Sequence, residues 1–179
     1  FGRTEHMRLT SWSMAKSISS LLLGICVDRR LIKSMEDTAD KYVPELKGTV
    51  FGTCTLRNLA NMCSGADVEH DRDNPTIYSK AFLDRDGSIR RVVAGWNRRL
   101  GEQGQAFRYT ELCPLTIGMV RRQVTGQSMS EFAAAALWQP MGAEGDASWM
   151  VDSERNEFNC VGFGAQLRDW ARLGTLVAQ

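Results

Sequence analysis

The sequence predicts a fold built mostly from helices, with few strands. Apolar residues recur at helical spacing in most segments, and residues that cap or stop helices bound these segments. By contrast, residues 147–151 are the best candidate for a strand. The 179 residues are 43% hydrophobic and 24% charged, which is ordinary for a soluble globular protein with one sizeable core.

In the first third of the chain, three helices are predicted from their apolar spacing and end signals. The first fades near residues 28–30 and carries these apolar residues: Met14, Ile18, Leu21, Leu22 and Ile25. Ser34-Met-Glu-Asp37 resembles a capping box that opens a short helix stopped by Pro44. Residues 55–63 form the third helix, which ends around Ser64-Gly65.

The rest of the chain continues this helical pattern. Residues 66–75 are polar and acidic, and they predict a loop. Further helices are predicted over these residues: 76–85, 89–96, 112–124, 128–137 and 166–177. No internal repeat is apparent in the sequence.

Composition excludes several classes of function. The net charge of +1, from 22 basic and 21 acidic residues, gives no broad field that would attract nucleic acid. No apolar run approaches the length of a membrane span. We therefore expect neither a nucleic-acid partner nor a membrane span. Adjacent arginines are expected on solvated faces, at positions 29–30, 90–91, 98–99 and 121–122.

Five cysteines are scattered without a C-x-x-C pattern, and their odd number leaves at least one thiol outside any intramolecular pair. This favours a reducing, cytoplasmic compartment, while a start at Phe1 without methionine leaves a periplasmic location open. Cys26 and Cys113 lie in apolar helical segments and are expected to be buried. With only His6 and His70, a metal site of several histidines is excluded. We expect no cofactor.

The pattern Ser13-x-x-Lys16 places a nucleophile and a base on neighbouring parts of one helix face. A helix N-terminus and burial would both lower the pKa of the lysine, which must be neutral to act as a base. With thirteen serines and five lysines in the chain, chance alone produces such a pattern in roughly a third of comparable sequences. The competing interpretation is a serine cap followed by a solvated lysine.

Five segments occur in a definite order, each with a recognisable composition: 11–17 around Ser13, 56–65, 107–126 with Phe107-Arg-Tyr109, 137–149 and 162–174. Together they resemble the serine β-lactamase and penicillin-binding superfamily. The resemblance is to its class C-like branch, which contains esterases, D-amino-acid peptidases and 6-aminohexanoate-dimer hydrolases. It covers nearly the whole chain.

The resemblance implies that Ser13 is acylated, that Lys16 helps to deprotonate it, and that Tyr109 joins the proton relay to the leaving group. A phenol, with a pKa near 10, can approach phenolate beside a cationic lysine. The alternative for Tyr109 is a core aromatic residue whose hydroxyl caps a neighbour. Tyr42 and Tyr78 have no such context and are expected to be packing residues.

Two positions depart from the pattern of the superfamily. Where β-lactamases have Tyr-x-Asn, this chain has Tyr109-Thr110-Glu111. Glu111 could face the cleft, where it would favour a substrate amine or pair with Lys16 and raise its pKa. Alternatively, Thr110 caps the next helix and Glu111 lies in the first turn, where negative charge is favourable. We favour the second.

The other departure is Arg72, in the segment Glu69-His-Asp-Arg-Asp-Asn-Pro75. Amide-hydrolysing relatives face the substrate here with an aromatic residue. An arginine at this place could bind an anionic group of the substrate, and the alternative is a solvated loop arginine.

The C-terminal Lys-Thr-Gly or His-x-Gly motif of the superfamily does not occur before Gln179. The resemblance therefore implies a β-lactamase/transpeptidase-like α/β (α+β) fold of which this chain is mainly the helical region plus the nucleophile helix. Most of the antiparallel sheet would be missing, and apolar faces left uncovered would favour self-association. We assign residues 1–30 to the α/β domain, 31–160 to a mostly helical domain and 161–179 to a helix that returns to the α/β domain.

Three functions remain open on sequence alone. The first is a serine hydrolase that forms an acyl-enzyme with a small ester, amide or peptide substrate. The second is a penicillin-binding DD-peptidase or β-lactamase with the same chemistry. The third is a non-catalytic binding protein that keeps the fold.

Because the second donor of the oxyanion hole is expected from the absent strand motif, we predict that the 179-residue polypeptide alone lacks normal turnover. The measurement is ester hydrolysis by the purified, homogeneous polypeptide. Robust hydrolysis that disappears in Ser13→Ala would contradict this prediction.

Overall fold

The structure is a computed structural model, and it describes residues 4–178. Its three strands are Arg8–Thr10 (β1), Ser148–Trp149 (β2) and Phe163–Gln166 (β3). Its α-helices are Ala15–Asp28 (α1), Leu56–Ala60 (α2), His70–Tyr78 (α3), Ile89–Gly95 (α4), Leu112–Thr125 (α5), Met129–Ala133 (α6) and Leu167–Ala178 (α7). Within residues 4–178, no helix combines the length and apolarity that crossing a lipid bilayer requires.

Helix α5 lies at the centre of the core and packs against α1, α2, α4 and α6. The helix ends at Gly126, where a positive φ of 66° gives the backbone a left-handed conformation that turns the chain away from the helix. The buried face of α1 is formed by Ala15, Ile18, Ser19, Leu22, Leu23 and Cys26. Met14 is 53% exposed, so its predicted place in the apolar stripe is wrong. Cys26 and Cys113 are fully buried, as predicted.

The three strands form an antiparallel sheet in the order β1-β3-β2. Leu9 lies opposite Ala165, and Trp149 lies opposite Phe163. Only β2 was predicted, because β1 is three residues long and β3 contains Gly164, so neither shows a clear strand pattern. The division of the chain at residues 30 and 160 stays a prediction.

The helix predicted from Ser34 to Pro44 is wrong. The Ser34 hydroxyl accepts a hydrogen bond from Glu36 N, two residues on, which forms a local turn instead of a helix cap. Asp37 accepts from the hydroxyl of Tyr42 and from Lys41 Nζ. The segment consequently contains only two short 3₁₀ turns, Ala39–Lys41 and Pro44–Leu46.

The loop predicted over residues 66–75 is also wrong in its second half, because α3 begins at His70. Asp71 and Asp73 lie in its first turn, where negative charge stabilises a helix. The Asp73 carboxylate also accepts a hydrogen bond from Glu69 N. Pro75 is accommodated inside this helix.

The arginine pair at 121–122 was predicted to be solvated, but Arg121 is only 3% exposed. It lies on the buried side of α5, which is surrounded by other helices. Burial lowers the pKa of Arg121 to about 10, and Glu157 opposes this shift.

The loop before α5 is held by backbone contacts with the turn after α2. Gly65 O accepts hydrogen bonds from Leu100 N at 2.9 Å and from Gly101 N at 3.1 Å. Met62 O accepts from Arg108 N at 2.8 Å. These bonds place Tyr109, the next residue, at the N-terminal end of α5.

Gly65 allows a prediction about stability. Its φ is +73°, and an added Cβ would lie 2.3 Å from Gly101 O. Gly126 has a similar φ of +66° but nothing within 4 Å of an added Cβ. We expect Gly126→Ala to cost about 1–2 kcal/mol of unfolding free energy and Gly65→Ala about 3 kcal/mol or more, because a backbone carbonyl must also move. Urea unfolding of both variants measures the difference, and equal losses would contradict it.

Candidate active site

Ser13 lies in a 3₁₀ turn, Trp12–Met14, immediately before α1. Trp12 has a φ of 44°, which is uncommon for a bulky residue and indicates a tightly bent backbone beside Ser13. The turn is held by Ser11, which is 1% exposed. Ser11 N donates to Phe163 O at 2.7 Å, and its hydroxyl donates to Val161 O at 2.9 Å.

Lys16 lies in the first turn of α1, and its Nζ is 3.1 Å from Ser13 Oγ. The ammonium also donates to Cys160 O at 3.0 Å. One turn further along, Ser19 Oγ donates to Asn159 O at 2.8 Å. The N-terminal half of α1 is therefore bonded to the backbone of residues 159–163.

Tyr109 reaches the same serine from another part of the chain. Its hydroxyl is 2.6 Å from Ser13 Oγ. The Lys16 Nζ lies 4.9 Å from the centroid of the Tyr109 ring, within range of a cation–π contact. Lys16 Nζ and the Tyr109 hydroxyl thus both lie within hydrogen-bonding distance of Ser13 Oγ. These are the three residues that were expected to act together.

Glu111 is 1% exposed, and its Oε2 is 2.6 Å from Lys16 Nζ. The favoured interpretation, a first-turn residue beyond a Thr110 cap, is wrong for the glutamate. Thr110 Oγ1 does accept a hydrogen bond from Leu112 N, but the Glu111 side chain caps no backbone group of α5. The carboxylate instead pairs with Lys16, which is one of the two contacts considered for a cleft-facing Glu111.

The pKa of Lys16 is raised, contrary to the sequence-based prediction. Burial lowers it, as expected, but Cys160, Glu111 and Tyr109 raise it by more. Burial also raises the pKa of the Cys160 thiol well above its ordinary value, so this thiol is neutral near pH 7. Of these three groups, Glu111 is the one whose carboxylate forms an ion pair with Lys16 Nζ, at 2.6 Å.

Sequence reasoning missed two neighbours of Glu111, both on α3. The Tyr78 hydroxyl is 3.4 Å from Oε1 of Glu111, and His70 Nε2 is 3.8 Å from the same oxygen. The His70 ring also lies 5.2 Å from the ring of Tyr109. The one signal for His70 was the scarcity of histidine in the chain. Among residues 4–178, no three His, Cys, Asp or Glu side chains are grouped so that they could hold a metal ion.

Arg72 does not join this group through any contact in the described part of the chain. It lies on α3, where its guanidinium binds Asp73 at 2.7 Å and Asp67 at 3.0 Å. The hydrogen bonds that Arg72 donates to Asp73 and Asp67 raise the pKa of its guanidinium. Since its charge is already compensated, a substrate anion would have to displace an aspartate. The predicted binding role stays a prediction.

Comparison with known proteins shows the family to which the chain belongs. Residues 3–157 match the beta-lactamase family. The chain belongs to that family. Its fold is β-lactamase/transpeptidase-like, with a small three-stranded sheet beside the helices.

Its relatives include hydrolases. The chain is 25% identical over 173 residues to the 6-aminohexanoate-dimer hydrolase of Paenarthrobacter ureafaciens, a match that covers 92% of this chain and 44% of that protein. A solved structure from Bacillus anthracis, described as a 6-aminohexanoate-dimer hydrolase, has a TM-score of 0.88 and 26% identity, and the match covers 99% and 49% of the two chains. A class C beta-lactamase from Rhodobacter sphaeroides has a TM-score of 0.68 and 18% identity, with 95% and 51% covered.

The chain thus spans about half the length of these relatives. It is a beta-lactamase-family chain related to 6-aminohexanoate-dimer hydrolases.

Ser11 tests how the nucleophile turn is held. In Ser11→Ala, Val161 O loses a donor and Phe163 N loses an acceptor at 3.2 Å. We expect the free energy of unfolding to fall by about 1–3 kcal/mol. We also expect a fluorophosphonate to label Ser13 more slowly, because the turn that carries Ser13 is no longer held. Ser20 is exposed on α1, so Ser20→Ala is the matched control. Thermal unfolding and the rate of Ser13 modification measure the effect, and equal behaviour of the two variants would contradict it.

Proposed function

We propose that the full-length protein is a serine hydrolase that cleaves an ester or amide bond through an acyl-enzyme intermediate. The observation that carries this proposal is that Lys16 Nζ and Tyr109 Oη both lie within hydrogen-bonding distance of Ser13 Oγ, at 3.1 and 2.6 Å. A serine hydroxyl needs such neighbours to become a nucleophile. The relationship to hydrolases of the beta-lactamase family supports it.

In the proposed reaction, Ser13 Oγ attacks the carbonyl carbon of the substrate and forms a tetrahedral intermediate. The proton of its hydroxyl passes into the Lys16–Tyr109 pair, and from there to the leaving alcohol or amine. An acyl group then remains on Ser13 Oγ. Water attacks this ester in the second half of the reaction, which restores the serine. The chemistry needs no cofactor.

The proposal is less specific about the class of substrate than about the reaction. Amide hydrolysis is favoured by the relationship to 6-aminohexanoate-dimer hydrolases, and penicillin recognition is the second candidate because a class C beta-lactamase has the same fold. We do not assign an anionic substrate, since Arg72 is already bound by Asp67 and Asp73.

Two acylating probes separate the candidates. We expect a fluorophosphonate to add one adduct to the full-length protein at Ser13, because this reagent needs only an activated serine. Ser13→Ala should lose the adduct, whereas Ser17→Ala, a change at an exposed position on α1, should keep it. Intact-mass and peptide mass spectrometry locate the adduct.

The same experiment with a penicillin distinguishes the functions. Labelling by both reagents indicates a penicillin-recognising enzyme, and labelling by the fluorophosphonate alone indicates an esterase or amidase. If neither reagent labels Ser13, the proposed hydrolase function is wrong and the protein is a non-catalytic member of the fold.

A further inference from the structure

Arg121 is a buried cation that the site around Ser13 does not use. It lies on the buried side of α5 and is 3% exposed. Within residues 4–178, neither its Nε nor its Nη1 has a hydrogen-bond partner. A buried charge is costly unless an opposite charge and hydrogen bonds compensate it. The guanidinium therefore needs an acceptor that the described part of the chain does not supply.

The acidic groups near Arg121 do not meet this need. Both oxygens of Glu157 have other partners, because Oε1 accepts a hydrogen bond from Ser130 N at 2.9 Å and Oε2 lies 3.9 Å from Nη1 of Arg122. Cys26 also interacts with Arg121, but burial raises the pKa of its thiol, which is neutral near pH 7. The pKa of Arg121 falls to about 10 because burial outweighs these neighbours, and the group still carries its charge at neutral pH.

A small cavity of about 20 Å³ lies beside Arg121, between α4, α5, α6 and residues 156–157. Its polar lining consists of Arg90, Arg121, Arg122, Asn156 and Glu157. A volume of roughly 10–15 Å³ is enough for one water-sized occupant. The cavity therefore admits a single water molecule or monatomic ion, and it excludes a carboxylate, a sulfate or a phosphate. The side chains of Arg90 and Arg122 are partly exposed, so an ion can enter from the side that they form.

The charges around this cavity leave one positive charge uncompensated. Arg90 forms an ion pair with Glu45. Arg121 and Arg122 then share the carboxylate of Glu157, which is the one acidic side chain that the described residues place in the lining. A water molecule would accept a hydrogen bond from Arg121 but would bring no charge. A monovalent anion supplies both the acceptor and the missing negative charge.

We propose that this cavity is a binding site for one small monovalent anion, of the size of chloride, held by the guanidinium of Arg121. The anion is a structural ligand that joins α5 to residues 156–157. These residues lead into the segment 159–163, whose carbonyl groups accept hydrogen bonds from the start of α1. The inference goes beyond the proposed hydrolase function and does not depend on it.

Thermal unfolding of the full-length protein in increasing chloride tests the site. The ionic strength is kept constant with sodium gluconate, whose anion is too large for the cavity. A ligand that binds only the folded state raises the unfolding midpoint, so we expect a rise of about 2 °C or more that levels off as the site fills. Broadening of the chloride NMR line by the protein measures binding directly. Bromide should reverse this broadening, and sulfate, which is too large, should not.

Arg121→Met removes the charge and keeps an unbranched side chain in the core. It should abolish both the chloride dependence and the NMR broadening. Without chloride, its midpoint should equal or exceed that of the wild type, because an uncompensated buried charge has been removed. Arg57→Met is the matched control, since Arg57 is an exposed arginine paired with Glu36. This control should keep the wild-type response to chloride.

Glu157→Gln is a second variant, which retains Arg121 and covers the case in which Arg121→Met does not fold. The glutamine oxygen can still accept the hydrogen bond of Ser130 N, but the carboxylate that repels an anion is gone. We therefore expect the half-saturating chloride concentration to fall by about threefold or more.

The inference is overturned if chloride has no saturable effect on the wild type, since a water molecule or another group of the full-length protein then completes Arg121. A chloride effect that persists in Arg121→Met also overturns it, because the ion then binds elsewhere. So does an unchanged chloride affinity in Glu157→Gln. Each of these results leaves the proposed hydrolase function intact, because the labelling of Ser13 is measured separately.

Discussion

The hydrogen bonds between the start of α1 and the backbone of residues 159–163 hold the site together. Ser11, Lys16 and Ser19 each donate to a carbonyl of this segment. The same segment leads into β3, the central strand of the sheet. A short sheet and a helix are thus joined at the turn that carries Ser13. Because the turn is fixed from both sides, the hydroxyl can meet side chains that come from a distant loop.

The ion pair between Lys16 and Glu111 is a second constraint, of a different kind. Removing two charges from water costs several kcal/mol per ion, so such a pair is weak evidence for a gain in stability. What it does fix is the position of the Lys16 amino group, which lies 2.6 Å from a buried carboxylate oxygen and 3.1 Å from Ser13 Oγ. The raised pKa of Lys16 follows from this contact and from Cys160 and Tyr109 together, against the effect of burial.

Prediction from sequence was accurate where a strong local signal agreed with the tertiary environment. The spacing of apolar residues and Gly126 predicted α5 closely. The helix predicted over residues 55–63 is present but shorter, at Leu56–Ala60. Prediction failed where side chains form alternative contacts. The acidic start of α3 was predicted to be a loop. In the structure Asp73 accepts a hydrogen bond from Glu69 N at the beginning of this helix. Likewise, Arg121 looks solvated until helices surround α5.

The sequence by itself determined the order of motifs that resembles the family and placed Ser13 and Lys16 on one helix face, and the resemblance implied that Tyr109 acts with them. That was possible because a short spacing on one helix, together with a recognisable series of segments, depends on local sequence alone. The tertiary structure decided the environment of these residues. The direction of the Glu111 side chain and the raised pKa of Lys16 depend on distances across the chain, between α1, α5 and the segment before β3. No local pattern encodes those distances.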